Sequence, residues 1–69
     1  MSDVVKLKQA IDGSGLRKGF IVEKLGITRQ GFHKKETGAS DFTASEVAIM
    51  KDLLKLSDRE VNAIFLRKE

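Results

Sequence analysis

The sequence predicts an all-α protein, a compact bundle of five short helices that forms one domain over residues 1–69. A chain of 69 residues makes at most one domain. Apolar residues recur at intervals of three and four, and no stretch shows the sustained alternation typical of strands. Glycine and hydroxyl-bearing residues divide the chain at positions that suit the ends and starts of helices.

The first two predicted helices each end at glycine. The first runs from about Asp3 to Asp12 and stops at Gly13-Ser14-Gly15, because glycine tolerates the left-handed conformation that follows a helix. The second covers roughly Arg17 to Leu25 and ends at Gly26. In the first helix Val4, Leu7, Lys8 and Ile11 follow helical spacing, with Lys8 as the one polar member, and the inward face of the second helix is Ile21, Val22 and Leu25.

The third predicted helix has an unusually polar surface. It begins after Thr28, a good N-cap, runs to Thr37 and is ended by Gly38. Its only large apolar residue is Phe32. Burial stabilises such a helix poorly. We therefore expect Phe32 to anchor the helix while its outer face is presented to a partner.

The last two predicted helices each begin with a capping box. Thr43 with Glu46 opens the fourth helix, and Ser57 with Glu60 opens the fifth. The apolar residues of these helices are Ala44, Val47, Ala48, Met50, Leu53 and Leu54, followed by Val61, Ile64 and Phe65. We expect Val47 and Leu54 to lie in the core.

Positive charge is concentrated in one third of the chain. Residues 16–38 carry six basic and two acidic side chains, a net charge of +4, whereas the whole chain is +3. This distribution is typical of a phosphate-binding surface, although a solvated helix face would give the same pattern. His33, Lys24 and Lys35 are expected to be solvated surface residues.

The composition argues against an enzyme, a metal site or a membrane span. There is no cysteine and one histidine, and no acidic pair surrounds an apolar pocket. The serines suit turns and caps rather than nucleophiles. We therefore predict no catalytic residue, no metal ligand and no cofactor. No apolar run approaches the roughly 20 residues of a membrane helix, so a soluble cytoplasmic protein is expected.

The segment from Leu16 to Gly38 resembles the helix-turn-helix of the Cro and repressor family of temperate phages. In this segment Gly26 reverses the chain, Ile27 fills the angle between two helices and Thr28 caps the second of them. The matching features are Leu16, the run Ile21–Gly26, Ile27-Thr28-Arg29, Phe32 and Glu36-Thr37-Gly38. The resemblance continues through the last two helices and covers nearly the whole chain.

The resemblance implies DNA contacts for several residues. The third helix would enter the major groove, with Arg29, Gln30 and Lys34 facing base edges. Phosphate contacts are implied for Lys18, Thr28 and the backbone of the Ala39-Ser40 loop.

Three residues depart from the family pattern. Gly31 interrupts the third helix at a cost of about 1 kcal/mol and leaves a dimple beside Arg29 and Gln30. Phe20 stands where the family usually carries a polar residue, and Phe42 replaces a common small or proline residue just before the fourth helix. The two rings either fold onto the edge of the core or form an aromatic patch that binds a protein, with Arg17 and Asp41 as charged rim residues.

Two functions remain open at this point. Within the family the chain is most similar to the modulator-of-repression antirepressors of phages of Gram-positive bacteria. That similarity implies a protein that binds the phage lysogeny repressor, alone or together with DNA, and blocks or alters its hold on operator DNA. A chain of 69 residues has little spare surface for a dimer interface of standard size, so a monomer that works through its partner is expected. The alternative is a Cro-like operator binder, which would act as a two-fold dimer. Ile49, Phe65 and Leu66 could form a dimer seam, but they could equally complete the core.

Overall fold

The computed structural model describes residues 3–65, and the regular secondary structure of this part of the chain is five α-helices, with no strand. The predicted all-α class is confirmed. The helices are α1 Val4–Ser14, α2 Lys18–Leu25, α3 Arg29–Glu36, α4 Ala44–Leu54 and α5 Asp58–Ile64. None of the helices within residues 3–65 is long and apolar enough to cross a membrane.

Side-chain caps define where most of the helices begin. Thr28 accepts a hydrogen bond from the N–H of Gly31, as predicted for an N-cap, and Asp3 caps α1 in the same way. Both predicted capping boxes, at the starts of α4 and α5, are confirmed. α2 begins without a side-chain cap, because its N-cap residue is Arg17.

The helix ends follow the glycine pattern in part. Gly15 and Gly26 adopt left-handed backbone with φ of 76° and 70°, which a residue without Cβ reaches at little cost. α1, however, continues through Gly13 to Ser14, so the predicted end at Asp12 was wrong by two residues. α4 ends at Leu54, and its C-cap Lys55 adopts left-handed backbone with φ 54° although it carries a side chain.

One hydrophobic core joins all five helices. Phe32 is the only buried residue of α3, so a single ring fastens that helix to the core. Val47 and Leu54, predicted as core residues, are half-buried at its edge. The buried set comprises Leu7, Ile11, Ile21, Leu25, Phe32, Met50, Leu56, Val61, Ile64 and Phe65.

Phe42 belongs to the edge of the core. Its ring lies edge-on to Phe32 at 6.3 Å between centroids and to Phe65 at 5.2 Å. It is half-buried. Of the two arrangements considered for Phe42, folding onto the core is the one observed, and an exposed patch shared with Phe20 is not. Burial of Phe65 likewise makes it a core residue rather than part of an exposed seam. Leu66 lies outside the described residues.

The two ends of the bundle are joined to each other. α1 packs against α5, and the backbone N–H of Asp3 donates to the carbonyl of Ile64 over 2.7 Å. α1 also contacts α3 and α4, while α2 contacts α3 and α4. The terminal helices therefore support the segment that carries the positive charge.

Candidate binding face on α2 and α3

A three-residue connection, Gly26 to Thr28, joins α2 to α3. The N–H of Gly26 donates to the carbonyls of Val22 and Glu23, which closes the last turn of α2. Ile27 is half-buried and packs against the core. Because Thr28 already caps α3, the chain passes from one helix to the next within a single turn.

The outer face of α3 is lined by polar side chains. Arg29, Gln30, His33 and Lys34 surround one shallow open groove on the side opposite Phe32. All four are exposed. The structure thus brings together the three residues predicted to face base edges and adds His33, which had been interpreted only as a solvated residue. Helical spacing could have included it, since residues 29, 30, 33 and 34 share one face.

Three of these side chains have no partner within the described chain. Arg29, Gln30 and Lys34 make no side-chain hydrogen bond or ion pair among residues 3–65. Polar groups that a protein leaves unpaired on one face are available to a ligand without first breaking an internal contact. This face therefore presents a guanidinium, an amide and an ammonium side by side.

Lys18 connects the start of α2 to the end of α3. Its Nζ lies 3.2 Å from Glu36 Oε1, and its side chain is 45% exposed. The same carboxylate oxygen lies 3.6 Å from Nδ1 of His33. A phosphate contact by Lys18 would therefore compete with, or be shared with, Glu36.

Lys35 is not the solvated residue that the sequence suggested. Its Nζ donates to Glu46 Oε1 over 2.6 Å and to the carbonyl of Asp41 over 3.2 Å. It also lies 5.8 Å from the centroid of the Phe42 ring. The side chains of Lys35 and Glu46 are only 15% and 12% exposed. Lys35 fastens α3 to the start of α4 and is unavailable to a ligand.

The remaining predicted contact residues differ in availability. The N–H of Ser40 donates to the carbonyl of Lys34 over 3.0 Å, so it is not free for the phosphate contact implied by the resemblance. The hydroxyl oxygen of Thr28 accepts the Gly31 N–H and keeps its own hydrogen for a further bond. Arg17 and Asp41 are both exposed.

The presence of glycine at position 31 has a local structural explanation. A Cβ at this position would lie 3.1 Å from Thr28 Oγ1, closer than ordinary van der Waals contact. Glycine at this position leaves room for the hydroxyl group of Thr28, which caps α3. The residue that was expected to leave a dimple in the helix surface therefore also preserves the N-cap.

Phe20 is an exposed aromatic residue on α2. Its side chain is 42% exposed, and the ammonium group of Lys24 lies 5.4 Å from the ring centroid. A cation over an exposed ring contributes about 0.5–1 kcal/mol, which offsets only part of the cost of exposure. Lys24 itself is exposed, as the sequence predicted, with its ammonium group over this ring.

Glu46 gives the stability of the protein a pH dependence. Burial alone would raise the pKa of this carboxyl, but hydrogen bonds from Lys35 and from the Thr43 N–H outweigh it and the pKa is lowered. A lowered carboxyl pKa contributes stability that is present above the ordinary value of 4.5 and is lost as the pH falls through the folded-state pKa.

We expect Glu46→Gln to lose about 1–2 kcal/mol of unfolding free energy at neutral pH, because the capping box persists while the charged hydrogen bond disappears. The difference from the parent should vanish at acid pH. Urea denaturation across a pH series measures it. Glu23→Gln, an exposed carboxylate with no ion pair among residues 3–65, is the matched control. An equal pH dependence in parent and Glu46→Gln would contradict this assignment.

Comparison with known proteins gives no relative: no family model, no curated protein and no solved structure matches this chain.

Proposed function

We propose that this chain is a transcriptional regulator in which α2 and α3 act as a helix-turn-helix and the outer face of α3 reads operator DNA. The genetic setting we propose is a lysis/lysogeny switch of a temperate phage, after the resemblance of residues 16–38. The observation that carries the proposal is that Arg29, Gln30 and Lys34 share one exposed helix face and make no side-chain hydrogen bond or ion pair among residues 3–65.

The chemistry of this face suits duplex DNA. A guanidinium can donate two hydrogen bonds to O6 and N7 of guanine, and a glutamine amide can pair with N6 and N7 of adenine. Lys34 supplies a point charge for a phosphate or a guanine. Phe32 faces the core and Lys35 is held by Glu46, which leaves the face that carries Arg29, Gln30 and Lys34 open to enter a major groove.

The test is selection from a pool of randomised DNA duplexes, followed by affinity measurements over a salt series. We expect enrichment of one short motif that contains guanine. Affinity for that motif should fall steeply between about 50 and 200 mM salt, because bound phosphates release counterions. If the sequences in the pool remain random after repeated selection, the hypothesis that α3 recognises a DNA sequence is wrong.

A second candidate function is supported by the exposure of Phe20. In this alternative the chain is an antirepressor that binds a phage lysogeny repressor as a monomer and blocks or alters its operator binding. Exposed aromatic rings with charged neighbours often anchor protein interfaces, and Phe20 has Lys24 beside it. Because Phe42 packs into the core edge, Phe20 would carry this interface without it.

Replacing Phe20 by alanine distinguishes the two functions. If the chain is an antirepressor, Phe20→Ala should weaken binding to the co-encoded repressor by about tenfold or more, the loss typical of a buried aromatic anchor. Val5→Ala removes an exposed apolar side chain from α1 and is the matched control. Isothermal titration calorimetry measures the affinity of each of the two variants for the repressor. Unchanged repressor binding in Phe20→Ala would exclude the ring from the interface.

A further inference from the structure

Glu36, the last residue of α3, faces two other side chains through one carboxylate oxygen. Nζ of Lys18 donates to Oε1 over 3.2 Å, and Nδ1 of His33 lies 3.6 Å from the same atom. The Glu36 side chain is only 16% exposed, whereas that of His33 is 72% exposed. A carboxylate that is largely removed from solvent is therefore shared by one permanent cation and one group whose charge depends on pH.

His33 is the side chain whose charge ordinarily changes near neutral pH. The sequence contains one histidine and no cysteine, and carboxylates and lysines ordinarily titrate well outside the range from pH 6 to pH 8. The distance of 3.6 Å between Nδ1 and Glu36 is too long for a hydrogen bond. While Lys18 is in place, the carboxylate already has a cationic partner and does not require a charged imidazole.

Charges from three helices surround this site, and most of them are positive. Positive neighbours disfavour protonation of an imidazole, so the charged form of His33 depends on the carboxylate of Glu36. Two cations line the outer groove of α3 with His33, and the other charges line a second groove that includes Glu36. The cations are Arg29 and Lys34 of α3, Lys18 of α2 and Lys8 of α1, and the acids are Glu36 of α3 and Asp12 of α1.

We propose that Glu36 changes its partner when the face binds a DNA phosphate: Lys18 turns to the phosphate, and His33 takes one proton from solvent and becomes the cation beside Glu36. The inference rests on the proposed function, which places Lys18 at a phosphate. Exposed ion pairs are weak, so a phosphate can displace Glu36 from Lys18. Because the complex then holds one more proton than the free protein, binding should strengthen as the pH falls from 8 to 6.

The first measurement of this partner exchange is made on the free protein. Lys18→Gln removes the cation beside Glu36, so a larger fraction of His33 should be protonated at pH 6.5, which NMR detects as a shift of the imidazole Cε1–H resonance. Lys24→Gln removes the same charge from an exposed site on α2 that has no ion pair among residues 3–65, and is the matched control.

A second background isolates the carboxylate. When Glu36→Gln is already present, Lys18→Gln should move the His33 resonance far less, because the group that the two cations share is gone. Core amide shifts report whether each variant keeps the fold. A His33 resonance that stays in place in Lys18→Gln, or moves equally in Lys24→Gln, would overturn the partner exchange.

The second measurement is the affinity for the selected DNA motif at pH 6 and at pH 8, by fluorescence anisotropy at constant ionic strength. The parent should bind about three- to tenfold more tightly at pH 6. His33→Gln and Lys18→Gln should each reduce this ratio to about twofold or less, whereas Lys24→Gln should keep it. If Lys18→Gln keeps the parent ratio, His33 responds to DNA directly and the partner exchange is wrong.

Failure of the proposed function would give a different result. If the parent selects no motif, the same ratios are measured on a duplex of unrelated sequence at low salt, where phosphate contacts supply the binding. A pH ratio that depends on both Lys18 and His33 would then support the partner exchange without sequence reading. A parent ratio near one on a duplex that it binds, or no binding to either duplex, would overturn the partner exchange.

Discussion

Replacing Phe32 by alanine is expected to lower the free energy of unfolding by about 3–5 kcal/mol. The ring is 1% exposed and is the only buried side chain of α3, and it also supports Phe42 at the core edge. Since a 69-residue domain has only about 3–10 kcal/mol of stability in total, this variant should be mostly unfolded or close to it.

Circular dichroism during urea denaturation measures this loss, and the chain offers a close control. Phe20→Ala deletes the same atoms from a ring that is 42% exposed and should cost about 1 kcal/mol or less. Phe32→Leu keeps most of the buried volume and should remain folded, so that a loss can still be quantified. Similar losses for Phe32→Ala and Phe20→Ala would contradict the anchoring role of Phe32.

The second large effect concerns sequence reading. Arg29→Ala should weaken binding to the selected DNA motif by about 1–3 kcal/mol and relax the preference at one guanine, because a bidentate contact is removed. Lys34→Ala should weaken all sequences more evenly if Lys34 contacts a phosphate, with a lower salt slope. Neither change should alter the fold, since both side chains are exposed and unpaired among residues 3–65.

Arg59→Ala is the matched control for Arg29→Ala. Arg59 is an exposed arginine on α5, beside a groove formed with α1, and its loss changes the net charge by the same amount. Fluorescence anisotropy on the selected motif and on a base-substituted copy gives affinity and preference together. An equal, sequence-independent loss in both variants would show that Arg29 adds only charge, not readout.

Local signals in the sequence predicted most of the fold. A cap is a contact between residues three apart, so Thr28, Thr43 and Ser57 could be assigned from spacing alone. Phe32 could be assigned to the core because no other apolar residue on α3 competes for that role. The common outer face of Arg29, Gln30 and Lys34 follows from the same helical geometry.

The features that residue spacing did not predict depend on contacts between residues distant in the sequence, or on the energetic cost of an unfavourable backbone conformation. Lys35 is held by Glu46 and Phe42, which are brought to it only by the turn between α3 and α4. Lys55 adopts a left-handed conformation that sequence patterns assign to glycine, at a cost of about 1–2 kcal/mol. α1 continues through Gly13 and Ser14, so a glycine at position 13 does not by itself end the helix.

The hydrogen bond between the Asp3 amide and the Ile64 carbonyl makes the ends of the described chain cooperative. Helix ends ordinarily fray one at a time, but here the opening of α5 also removes the acceptor at the start of α1. α1 in turn packs on α3. Occupation of α3 by a ligand stabilises the whole native state. Amide hydrogen exchange at α1 and α5 should therefore slow when a ligand occupies the outer face of α3.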